Sequence, residues 1–131
     1  MADYTVANID DIEAIYRGSF KLARAALGIT SFGLQVIDMP AGVDGYPEHD
    51  HSSDGQEEVY ATLRGSGEIL IDGERHPLDP GHLVSVRAGT MRKVVPGPDG
   101  IRMLIIGGVP GGAYAVSPST ELGTPDPLAA A

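Results

Sequence analysis

The chain predicts an all-β domain of sandwich or barrel type, and three observations carry that expectation. Its 131 residues hold 18 glycines and 10 prolines, and these fall between short apolar runs, as turns do between strands. The runs read as seven or eight short strands with turns of two to six residues between them, the spacing of small antiparallel folds. The length suits one core and one domain.

Taken in order, Asn8 to about Tyr16 predicts a short N-terminal helix. Asn8 suits an N-cap, Asp10 and Asp11 in the first turn suit the helix dipole, and Gly18 ends it. Residues 20–27 (FKLARAAL) fit either a helix or a strand, and an edge strand is the preferred reading. Strand patterns follow at 31–39, closed by Pro40 and Gly42, then at 58–64, and at 67–72 after a turn at 65–67. Asp72-Gly73 is a two-residue hairpin signal of type I′, and 74–78 return from it to a turn at 79–81. Residues 83–86 (LVSV) and 91–95 (MRKVV) are further strands around a turn at 88–90. A turn at 96–100 (PGPDG) precedes the last clear strand, 101–106. The boundaries expected are an N-terminal helix and edge segment over 1–30, a barrel over 31–114 and a C-terminal tail over 115–131. That tail lacks an apolar period and is expected to be poorly ordered or draped over the surface.

Composition excludes some partners. A formal net charge of −9 argues against nucleic acid, which needs clustered Lys and Arg. No apolar run approaches the roughly 20 residues that span a bilayer, and the acidic start MADYTVANIDDIEAIY lacks a signal-peptide layout. With 0 cysteines there is no disulfide and no thiolate ligand, and the cytoplasm is the expected location. Along 101–106 both strand faces are apolar, as is the Val59, Ala61, Leu63 face of 58–64. Such faces need cover from the N-terminal segment or a second subunit, and a homodimer is expected.

Chemistry concentrates in YPEHDHSSDGQEEVY, residues 46–60. His49 and His51, two apart on an extended chain, point to the same face while Asp50 points away. Glu58 heads the following strand, with Tyr60 and Thr62 on its own face. Two imidazoles and a carboxylate on one side of a cavity are a usual ligand set for a first-row transition metal. Gln35 joins the pocket only if its face of 31–39 is the inner one. Asp50, Asp54 and Glu57 read as solvated charges, and His76 and His82 as surface residues.

From Gly45 through His49-Asp50-His51 and Glu58 to Gly65, the sequence resembles the first conserved motif of the cupin superfamily: a glycine, His-x-His, a glutamate and a glycine seven residues on. That spacing selects Glu58 over Glu57. Residues 81–96 (GHLVSVRAGTMRKVVP) resemble the second motif in degraded form, with Arg87 in place of its proline and Pro96 in place of its final asparagine. Arg92 stands where the family has its histidine ligand. Six residues separate His51 from Glu58, against the usual three or four. The resemblance covers roughly 31–108 and implies a cupin-type jelly-roll β-barrel. It also implies a divalent metal (Fe, Mn, Ni or Zn) on His49, His51 and Glu58, and dioxygenase- or isomerase-like chemistry on a small molecule.

Arg92 leaves two readings open. A guanidinium is always protonated and cannot ligate a metal. A divalent ion about 5 Å from it meets roughly 7 kcal/mol of repulsion at an effective dielectric near 20, which Glu58 or an anionic substrate offsets. Arg92 then pairs with Glu58 or with an anionic substrate on the metal, as a substrate-binding residue beside Tyr60 and Thr62, and an anionic molecule is favoured. In the other reading Arg92 pairs with Glu58 in place of the metal, and the protein is a metal-free binding module.

Overall fold

The computed structural model describes residues 3–43 and 46–129. Its architecture is an all-β jelly roll built from seven strands. These are β1 (Ala14–Ile15), β2 (Phe20–Lys21), β3 (Gly33–Met39), β4 (Glu57–Ile71), β5 (Glu74–Leu78), β6 (Leu83–Val86) and β7 (Arg92–Gly108), with one helix, α1 (Ala23–Leu27). All pairings are antiparallel, in the order β1-β2-β3-β7-β4-β5, with β6 also on β4.

The N-terminal region differs from the expected helix. Asn8 caps, accepting from the Asp10 amide at 3.0 Å, but only a 3-10 turn, Ile9–Asp11, follows. The chain then extends because Ile15 is buried and Ala14–Ile15 pair with Phe20–Lys21. Tyr16 and Arg17, both at positive φ, make the bend between them. Residues 20–27 divide: the first two continue the sheet through Ile37 and Val36. The alanine-rich remainder forms α1, ended by Gly28 at φ 71°. Leu22 and Ala23 are buried there, and full burial of a leucine stabilises by about 1.5–3 kcal/mol.

Two expected turns are absent. The segments around Gly65–Gly67 are one strand, β4, which passes register irregularities at Thr62/Arg64 and Gly65/Gly67. Residues 96–100 likewise lie inside β7, where Gly65 pairs with Ile101 and Gly67 with Pro96, so 97–100 bulge opposite Ser66. Gly65 sits at φ 75°, and a Cβ there would run into the Gly100 carbonyl. Glycine therefore lets the two long strands cross closely where a turn was expected. The Asp72-Gly73 hairpin does form, with φ of 49° and 83°.

The core lies on the inner face: Ile37, Met39, Tyr60, Ile69, Leu78, Val86, Val94, Ile101, Met103 and Ile105. On the outer face of β3 and β7, Arg102 pairs cross-strand with Asp38 at 2.7 Å and reaches Asp10 at 2.7 Å. These bonds raise the Arg102 pKa and hold that of Asp10 down. The N-terminal turn is thereby fastened over β7. Over 115–129 the tail takes the draped course. The Asp126 carboxylate accepts from the amides of Tyr16 and Arg17 at 2.8 and 2.9 Å, and Glu121 lies 3.2 Å from buried Arg24. Among the described residues no helix is long and apolar enough to cross a membrane.

Candidate metal centre

The segment before β4 runs back along the start of β7. His49 and Arg92 form an isolated antiparallel bridge, exchanging backbone bonds of 3.0 and 2.9 Å. The His51 amide then donates to the Ala88 carbonyl at 2.7 Å. These bonds fix both histidine backbones against the strand that carries Arg92. Glu58 enters from β4 opposite Gly107, and one ligand atom each from His49, His51 and Glu58 lie within 4.8 Å of one another. Gly45, the first residue of the motif, lies outside the described residues.

The imidazoles are oriented from behind. His49 Nδ1 is 3.0 Å from the Pro47 carbonyl, so it carries the proton and donates. His51 Nδ1 is 3.1 Å from both carboxylate oxygens of Asp54. Each ring thus turns its Nε2 inward, with a carbonyl or carboxylate behind it as metal-bound histidines have. Asp54 also accepts from the Gln56 amide at 3.0 Å and its side chain at 3.1 Å. The Tyr46 ring packs on His49 with centroids 5.6 Å apart. Burial, then the Glu58 charge, pushes the Tyr46 phenol up to about 12, so it remains a neutral donor.

Three groups converge on one carboxylate oxygen. Glu58 Oε1 accepts from the Tyr60 hydroxyl at 2.9 Å and from Arg92 Nη1 at 3.1 Å, and lies 3.2 Å from His51 Nε2. Burial works against ionisation of Glu58, but His51, Tyr60 and Arg92 outweigh it and hold its pKa below the usual value. Glu58 in turn raises that of His51, against the effect of burial. His51 Nε2 is buried, and its near neighbour there is Glu58 Oε1. With the ring protonated these two atoms form an ion pair; with it neutral they are close enough to share a common metal ion. On this donor set the residues fit a divalent metal: Nε2 of His49 and His51, and an ionised Glu58.

Arg92 is 0% exposed. Beyond Glu58, its Nη2 donates to the Arg87 carbonyl at 2.6 Å, while Nε has no partner. That carbonyl also accepts from the Thr90 amide, so the turn of the second motif persists without its proline.

A cavity of about 760 Å³ opens in front of His49, His51 and Glu58. Tyr60, Thr62 and Arg92, expected to touch substrate, are buried and stand outside its wall. Gln35 does line it, although its Oε1 accepts from the Ala23 amide at 3.2 Å. His76 and His82 are exposed and remote, and His82 is 2.8 Å from Asp79. Asp54, expected to be a solvated charge, is exposed but also holds His51; Tyr46, Gln56 and Tyr114, which line the cavity, were not singled out from the sequence. Asp54 had one signal: it lies three residues past His51 in a Ser-Asp-Gly turn, within reach of that ring.

The model of the AraC-like ligand binding domain matches residues 36–113. The chain belongs to this family, within the cupin superfamily. Solved cupins share the fold. A cupin protein from Bacteroides fragilis aligns at TM-score 0.69 and 24% identity, covering 89% of this chain and 93% of that one. A cupin-superfamily sugar phosphate isomerase from Silicibacter pomeroyi aligns at 0.64 and 20%, covering 79% and 74%. A predicted oxalate decarboxylase from Thermotoga maritima aligns at 0.50 and 22%, covering 58% and 64%. No curated protein matches the chain.

Proposed function

We propose that this cupin holds one divalent transition-metal ion on His49, His51 and Glu58 and binds a small organic molecule against it in the adjoining cavity. The observation that carries the reading is the convergence of those three ligand atoms within 4.8 Å, with each imidazole oriented by a fixed acceptor. A bound ion supplies Lewis acidity to an oxygen of the molecule, which both oxygenase- and isomerase-like reactions use. The names isomerase and decarboxylase, borne by structural relatives, are compatible with such chemistry. Tyr60 and Arg92 act on Glu58, keeping it ionised and fixed, and through it on the metal. Because Arg92 is absent from the cavity wall, its charge no longer argues for an anionic substrate.

A second reading has its own support in the 3.1 Å Arg92–Glu58 contact. That pair neutralises the carboxylate without a metal, and the protein is then a metal-free ligand-binding module. The two readings differ on loading. Protein stripped with chelator and titrated with Mn²⁺, Fe²⁺ or Zn²⁺ takes up one ion per chain in the first reading, with His51→Ala abolishing uptake. Wild-type protein that takes up no ion supports the second.

The acidic, cysteine-free composition suits the cytoplasm. We place a second copy of the chain on the outer face of β4 and β6, where Val59, Leu63 and Leu83 are exposed, as a homodimer.

A further inference from the structure

The wall of the cavity points to the class of molecule it takes. Away from the three ligands its apolar part is Phe20, Leu34, Ile37, Met39, Val43 and Ile105, set beside uncharged polar residues such as Ser19, Gln35 and Thr120; Ile37, Met39 and Ile105 belong to the buried core. The floor is therefore rigid and apolar. A space of about 760 Å³ falls in the range that encloses drug-sized ligands, and a small dicarboxylate fills only a fraction of it.

Charge on the wall disfavours an anion. Arg17 is its one Lys or Arg among the described residues, and it is exposed. Arg17 Nε donates to the Leu128 carbonyl at 3.3 Å, and its backbone amide donates to the Asp126 carboxylate. Deeper in, the Asp54 carboxylate faces the same space, while the charge of Glu58 is met by Arg92. A phosphate needs several charge-assisted donors to replace its hydration, and this wall offers one cation already beside a carboxylate. An apolar body, in contrast, gains about 0.8 kcal/mol for each CH₂ that leaves water.

We propose that the bound molecule is predominantly apolar, with one oxygen-bearing end that meets His49, His51 and Glu58. The polar end rests on the metal-centre reading above; the apolar body rests on the wall alone. The sugar-phosphate and oxalate chemistry in the names of structural relatives is thereby set aside for this chain.

The test uses the full chain and N-phenyl-1-naphthylamine, a neutral probe that fluoresces in apolar surroundings, with glucose 6-phosphate as competitor. The expected result is saturable binding of one probe per chain, unaffected by millimolar glucose 6-phosphate. Ile105→Trp, which fills the floor, weakens it by about tenfold or more. Leu128→Glu changes an exposed wall residue, and it weakens binding in the same direction if Ile105→Trp fails to fold. The proposal is overturned by any of three outcomes: no saturable binding, displacement by glucose 6-phosphate, or binding unchanged in the folded variants, which would place the probe elsewhere. Metal content measured on the same samples separates the two ideas. Probe binding retained without metal uptake sinks the metal reading alone, and metal uptake without probe binding sinks this one alone.

Discussion

Arg92 shares one oxygen of Glu58 with the Tyr60 hydroxyl, and its position behind that carboxylate determines what substitutions there do. Arg92→His removes a fixed positive charge and supplies an imidazole from the strand that already pairs with His49. Metal affinity is expected to rise by at least about tenfold, read by competition with a chelator, and an unchanged affinity would contradict the role assigned to the arginine. Arg92→Met leaves the largely buried Glu58 without its cation. Loss of one partner from a buried pair costs about 3 kcal/mol or more, which urea unfolding will report as a lowered midpoint. Tyr60→Phe removes a single hydrogen bond to a charged group, for a smaller loss of about 1.5–3 kcal/mol. His49, His51 and Glu58 were legible because strand parity and motif spacing decide which side chains share a face. For Arg92 parity gave the inner face but not which of two partners it meets. Its pairing with Glu58 was one of the readings the sequence left open; the folded arrangement adds the Arg87 carbonyl as its second partner. The contacts of Asp54 and Tyr46 with the two histidines were hidden for a related reason, since a loop's course decides what its side chains reach.

Among the elements, the Asp72-Gly73 hairpin and the Leu83–Val86 strand were readable because turn chemistry and alternation agree there. The continuity of β4 and β7 was not readable. Gly65–Gly67 and 96–100 carry the residues of turns, yet the strands need those glycines to cross closely and bulge. Gly65→Ala forces a Cβ against the Gly100 carbonyl at positive φ, and its cost should exceed the usual penalty of about 1 kcal/mol for a left-handed site. A stability within error of wild type would show that the crossing relaxes. The tail makes a pH prediction. Amide donors from Leu128, Arg17 and Tyr16 hold the Asp126 pKa below its ordinary value. Its contribution is therefore present above the unfolded carboxylate value of about 4, and is lost as pH falls through the lowered folded value. Amide exchange across 115–129 is expected to accelerate in that acid window, and Asp126→Asn to accelerate it at neutral pH. Exchange insensitive to both would mean that the tail is held by other contacts.

At the scale of the molecule, the jelly roll brings two sequence-distant motifs together at one end of an apolar cavity, and the N-terminal segment and tail build its outer wall. The apolar faces are covered unevenly. Over β3, the edge strands and α1 supply cover from within the chain, whereas Leu83 on β6 is 78% exposed. If a second copy covers that face, sedimentation will show a dimer that Leu83→Glu converts to monomer; a wild-type monomer at the same concentration rules it out. The metal centre remains the claim on which the function turns. Metal analysis of protein purified without chelator or metal-affinity resin tests it most directly. The account predicts close to one divalent transition-metal ion per chain, lost in both His49→Ala and His51→Ala. Metal-free wild-type protein that also resists loading would contradict it and leave the Arg92–Glu58 pair as the occupant of the site.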